Sequence, residues 1–462
     1  MSQSMLQRKE GEATSFKRIV DEKTVNSACF VVYLYFVLDF FLRFSSRIPG
    51  YGMLRPTLMG AAIISILLFV QREKFKGRFD DPIFKSILIL LGYIVLSLPL
   101  VEWPGSVIKS NLDPFIKALL FLFFTALIID TDRRLKWFLG VFVFCQVFRI
   151  IEPLYLNITD GYWGSSTHLG GGDFADRLAG APADVINPNE LGFVIVTAIP
   201  FLHYLLWPLA WKSKALYLML MPALLYALLL TMSRGAFLAL LVVAFFVFKE
   251  SRHKMFLLVV GILVLIMAFS IMTPVQKDRY LSLVDQENTA GGASVEGRLS
   301  GLVGEFKLGL TRPVVGHGLG TTSEAKWHKW GTTKASHNLY GELLIELGII
   351  GLVLFIRFLF FIYQRFKRNR ILFQELGLGH NSFYSRLNKA LVAVFWMYAV
   401  YSINYWGLSQ YYWYLFGGLA IAFGRLLTIE YSKHSQLEKS GESQLPQQVA
   451  KSKYPLAEKI RR

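Results

Sequence analysis

The chain has 462 residues, of which 54% are hydrophobic, 15% aromatic and only 18% charged. So little charge cannot cover a soluble fold of this length, and the apolar residues fall in blocks near the ~20 residues that cross a bilayer core. The formal net charge of +17 comes with no aromatic-basic motif, so it reads as basic cytoplasmic loops and not as a nucleic-acid surface.

In chain order, residues 1–26 are mostly polar and read as a cytoplasmic tail, not a cleaved signal. About twelve spans follow. They centre on 27–43, 56–71, 84–101, 115–130, 136–156, 190–207, 215–231, 235–248, 256–273, 339–364, 388–406 and 409–428. Cys29 and Cys145 lie inside two of these and read as buried thiols, with no disulfide or metal site expected. Thus 27–273 holds spans one to nine, 274–337 a large loop and 338–428 the last three spans. Residues 429–462 read as a polar, disordered tail. The fold class expected is an all-α polytopic membrane protein.

The stretches "QREKFKGRFDD", "DTDRRLK", "WKSK", "KESRHK" and "QRFKRNR" are basic and fall at alternate turns. Placing both termini in the cytoplasm puts all of them inside. Two long loops, about 157–189 and 274–337, then face outward and are long enough to carry function. Within the second, Leu299, Leu302, Val303, Phe306 and Leu310 share one helical face. That pattern fits a helix on the membrane surface or a small domain packed over the spans.

Chemistry collects at the outward ends. Arg177 precedes "NPNELG", whose Asn187, Pro188, Asn189 and Glu190 read as a helix cap. Arg234 sits between two apolar runs, where an arginine snorkels to the interface or finds a counter-charge or ligand; its planar fork suits phosphate or carboxylate. Arg298 opens the loop helix. His337, flanked by Ser336 and Asn338, closes the loop, and histidine is the usual base near neutral pH. A base beside anion-binding arginines describes group transfer from a phosphorylated donor. Glu342 and Glu346 share a helix face with Asn338 and Ile349 and read as supports that hold an arginine or, alternatively, as direct contacts to substrate. "GHGLGTT" at 316–322 lacks the ending of a P-loop and reads as a turn-rich loop. His317, His328 and His337 show no metal-ligand spacing and no paired aspartates lie outside, so neither metal nor cofactor is expected.

The ordered set "NPNELG", "SRGAFLAL", "GRLSG", "RPVVGHGLGTT" and "SHNLYGELLIELGIIGLVLF" resembles the O-antigen ligase and O-antigen polymerase superfamily. The resemblance implies a metal-independent, inverting glycosyltransferase of the bacterial inner membrane, with an architecture similar to the GT-C class and short helices in a large periplasmic loop. Its donor would be a glycan on undecaprenyl diphosphate and its acceptor lipid A-core or another glycan. By the same resemblance His337 is the general base. Arg177, Arg234 and Arg298 then bind the diphosphate; Asn338, Glu342 and Glu346 read, from their own positions, as supports. Ligase is the leading reading. Polymerase and protein O-oligosaccharyltransferase share the motifs, and a lipid-linked sugar transporter would need more charge at mid-membrane.

Overall fold

The computed structural model describes residues 24–75, 77–170, 173–282, 292–334, 336–405 and 407–439. Each expected span is a helix. They are α1 (Ser27–Leu42), α2 (Pro56–Val70), α3 (Pro82–Ser97), α4 (Leu112–Ile128), α5 (Asp132–Asp160), α6 (Pro188–Leu206), α7 (Trp211–Thr231), α8 (Arg234–Glu250) and α9 (Lys254–Ile271). After the loop helices α10 (Pro274–Leu281), α11 (Gly292–Gly309) and α12 (Thr322–Trp330) come α13 (Leu339–Glu375), α14 (Phe383–Tyr401) and α15 (Tyr411–Lys439). Among the described residues nine helices are long and apolar enough to cross a membrane. The remaining three expected spans, α1, α8 and α14, pack among them. The protein is an all-α polytopic membrane protein.

Position in the bundle follows composition. α15 is buried along nearly all of its span, with Tyr412, Trp413 and Tyr414 enclosed. α9 is apolar all round and buries none of its residues against the protein, as a helix solvated by lipid should. Its last helix runs on to Lys439, past the expected span end at 428; residues 1–23 and 440–462 lie outside the described residues.

The helices alternate in direction, so their connections fall at two ends. One end carries the basic stretches. The other, the loop-rich end, carries residues 43–55, 98–111, 161–187, 272–338 and 402–410. The loop around 157–189 contains a feature absent from the expected all-helical scheme. Strands β1 (Gly164–Gly170) and β2 (Asp173–Leu178) form an antiparallel hairpin in which Ser165 faces Arg177.

A second difference shapes the site. The span expected as continuous over 339–364 is broken at Gly348, where φ is 66° and ψ −170°. Only glycine occupies that region readily. A Cβ there would stand 2.3 Å from the Val314 carbonyl oxygen. The segment 311–318 crosses the break and satisfies its backbone. Ile349 N donates to the Pro313 carbonyl at 2.7 Å, and His317 N and Gly318 N donate to the carbonyls of Ile345 and Glu346 at 2.8 and 2.9 Å. Irregular backbone within a membrane bundle is tolerated when protein groups take its hydrogen bonds. The broken helix therefore clamps the large loop to the bundle.

Candidate active site at the loop-rich end

The turn "SHN" is built to present its middle residue. The Ser336 hydroxyl donates to Glu305 Oε2 at 2.8 Å and to the Asn338 carbonyl at 2.9 Å. Asn338 caps α13, its Oδ1 accepting from Tyr340 N at 2.8 Å and Gly341 N at 3.2 Å. Leu339 N donates to the Ser402 carbonyl at 2.9 Å, tying the turn to the loop 402–410. Both neighbours of His337 are buried, while His337 is exposed. It lines a cavity of about 600 Å³ together with Glu305, Lys326, Trp330, Asn338 and Asn404.

Two of those residues had no signal in the sequence. Glu305 and Lys326 are both buried and form an ion pair at 2.5 Å. A buried pair is tolerated when its remaining polar capacity is used, and Ser336 supplies that use for Glu305. The pair joins α11 to α12 and sets the floor of the cavity. Glu305 and Leu308 point inward, whereas Val303 and Leu310 are 45% and 56% exposed. α11 packs on α13 through Gly309, where a Cβ would stand 2.7 Å from Leu344 Cγ. Of the two expectations for this segment, the small domain over the spans agrees with that packing. Arg298 lies on α11, but its side chain is outside the described residues.

The expected arginines meet elsewhere at this end, around the turn Thr231–Arg234. Met232 holds it in the left-handed conformation, φ 48°, and Ser233 caps α8 by accepting from Ala236 N. Arg234 is buried and donates to the Ser282 hydroxyl at 2.7 Å. Arg177 reaches the same turn from β2, its Nε donating to the Thr231 carbonyl at 2.8 Å and its Nη2 to Asn189 Oδ1 at 3.0 Å. A third arginine, missed in the sequence, is Arg279. Its Nε donates to the Met232 carbonyl at 3.0 Å. Ser282 links it to Arg234, because its hydroxyl donates to the Arg279 carbonyl at 2.7 Å. Burial raises the Tyr280 phenol well above its ordinary range, with Arg177 and Arg279 opposing, so it stays neutral beside them.

The helix starts here are tightly packed. Asn187 and Glu190 form a reciprocal capping box on α6. Gly192 lets α6 touch α8: a Cβ there would stand 2.6 Å from Ala236 Cβ. Asn404 separates the two parts of the site. It lines the His337 cavity, and on its other side a Cβ at Gly235 would stand 3.6 Å from Asn404 Cβ. His337 and Arg234 thus share one end of the bundle, with Arg234 behind the wall of the cavity.

Glu342 and Glu346 are buried supports, but their partners are not the expected arginine. Glu342 Oε2 accepts from Gly407 N at 2.8 Å and Leu408 N at 3.2 Å. Glu346 accepts from Gly320 N and from the Thr322 hydroxyl, each at 2.7 Å. Backbone amides next to a tight turn already supply donors in fixed positions, so no cation is required. "GHGLGTT" therefore lends its amides to α13. Its His317 bridges Glu102 Oε2 at 2.5 Å and Thr311 Oγ1 at 3.1 Å, a role in holding the loop.

Comparison with known proteins now bears on this arrangement. Residues 194–356 match the family model described as O-antigen ligase. That segment of the chain is similar to the O-antigen ligase family. No curated protein matches the chain. The matched segment begins within α6 and ends within α13, so it contains the arginine turn, the loop helices and His337. Arg177 and Asn404 lie outside it, on elements that close the site from either side.

Proposed function

We propose that the protein transfers a glycan from undecaprenyl diphosphate to an acceptor sugar at the periplasmic face of the inner membrane, as an O-antigen ligase acting on lipid A-core. The observation that carries this reading is His337, exposed on a cavity of about 600 Å³ within the matched segment and beside the arginine turn. The basic loops face the cytoplasm under the positive-inside rule, which turns the loop-rich end outward.

In this reading His337 takes the proton from the acceptor hydroxyl as that oxygen attacks the anomeric carbon. The bond from the anomeric carbon to the phosphate oxygen breaks, and the electron pair leaves with the diphosphate. Attack opposite the leaving group inverts the anomeric centre. Arg234, Arg177 and Arg298 neutralise the departing charge, and Arg279 joins them. Preorganised cations out of bulk water are worth most here, because they need not reorient during the reaction. The energy is held in the donor, so no nucleotide is consumed.

The test is the gel pattern of surface polysaccharide from a strain lacking the gene. Core without attached O-chain supports the ligase. Core bearing a single repeat would reassign the protein as a polymerase, and an unchanged pattern would reject both.

A further inference from the structure

A second cavity, of about 530 Å³, opens at the loop-rich end between α1, α2, α4 and the start of α15. Its rim carries Arg43, Arg55 and Lys117, and its floor is formed by Phe36, Phe40 and Phe121. Asp113 pairs with Lys117 at 2.6 Å and Asp184 stands 4.0 Å from Arg43; neither acid lines the cavity. Arg55 has no ion pair among the described residues.

Backbone conformation singles out the same residues. Among the described non-glycine residues only Arg43, Arg55 and Met232 have positive φ, at 54°, 46° and 48°. Such conformations cost free energy for a side chain with a Cβ and gather where geometry serves a site. Met232 belongs to the arginine turn. The other two both line the second cavity.

We infer that this cavity is a separate binding site for the net anionic, phosphate-bearing headgroup of a membrane lipid. Three cations at the ends of spans match an anionic head, and the aromatic floor below matches the first part of a hydrocarbon tail. A soluble phosphate would fill only the rim and leave the floor wet, so the occupant is a lipid. The site also communicates with the first by position. The loop 402–410 contributes Asn404 to the His337 cavity and Gln410 to this one, and Glu342 grips Gly407 and Leu408 between them. A lipid held here sits one loop away from His337.

The test is native mass spectrometry of the intact protein in detergent with phosphatidylglycerol or phosphatidylcholine. One phosphatidylglycerol should be retained about tenfold more than phosphatidylcholine, because the rim cations favour a net anionic headgroup and repel the choline cation beside the phosphate that both lipids share. The double variant Arg55→Gln with Lys117→Gln should lose that preference, and Arg55→Lys with Lys117→Arg should keep it. Both side chains are exposed, so the thermal midpoint should not move; if the double variant unfolds, Arg55→Gln alone is read, with the same expected direction. Equal retention of the two lipids, or a preference that survives in the charge-neutral variant, would overturn the proposal. Displacement by millimolar glycerol phosphate would overturn the assignment to a lipid. The readout is binding without turnover, so it stands or falls apart from the transfer reaction.

Discussion

The two sides of Asn404 are built on opposite plans. On one side Arg234 is buried and Arg177, Arg279 and Ser282 brace the turn that bears it, through carbonyls and hydroxyls. On the other side His337 is exposed on an open cavity, while its neighbours Ser336 and Asn338 do the holding. The contrast matches the two tasks in the proposed reaction. A charge that stabilises a leaving group works best when fixed and shielded from water. A base that meets successive acceptors works best at an accessible edge. Substitutions should therefore separate on two axes: arginine-side changes should cost folding and transfer together, and a change at His337 itself transfer alone.

The largest combined effect is expected for Arg234→Gln. Transfer should fall by about 100-fold or more, the scale of a lost transition-state charge partner. The thermal midpoint should fall too, because Ser282 loses its donor. Normal stability with full transfer would break the contrast. Gly348→Ala comes next in stability. The left-handed backbone and the Val314 carbonyl leave no room for a methyl, and about 2 kcal/mol or more should be lost, read by chemical unfolding in detergent. An unshifted midpoint would show that the break in α13 is not needed. Gly192→Ala should cost about 1–3 kcal/mol by forcing α6 from α8, with a matching drop in transfer. Stability lost with transfer retained would mean that α6 does not position the arginine turn. The smallest effect should be that of Ser336→Ala. It removes hydrogen bonds to Glu305 and to the Asn338 carbonyl, worth about 1 kcal/mol, and loosens the turn that presents His337. Its transfer should fall while donor affinity holds; a drop in donor affinity instead would place His337 in binding.

How far the sequence carried the reading differs between the two sides as well. The helices were legible because a bilayer demands long apolar runs, and the cap at Asn187 and Glu190 because capping is local. Arg234 and His337 stood out as polar residues in apolar or turn contexts. Arg279 did not, because it sits in a polar stretch and its contact with Met232 is long-range. Glu305 and Lys326 were invisible for the same reason, being paired across twenty residues of loop. The buried acid on α11 was not legible, because periodicity marks apolar residues and Glu305 is held by partners distant in sequence. The break at Gly348 looked like any glycine in an apolar run. Only the carbonyls of Pro313 and Val314 arriving beside it give it meaning.

The central claim rests on His337, and the most direct measurement compares donor affinity and transfer on purified His337→Gln protein. The account predicts donor binding and thermal midpoint equal to the native protein, with glycan transfer reduced by about 100-fold to 10,000-fold. Transfer at the native rate would contradict it, and so would loss of donor binding with the fold intact.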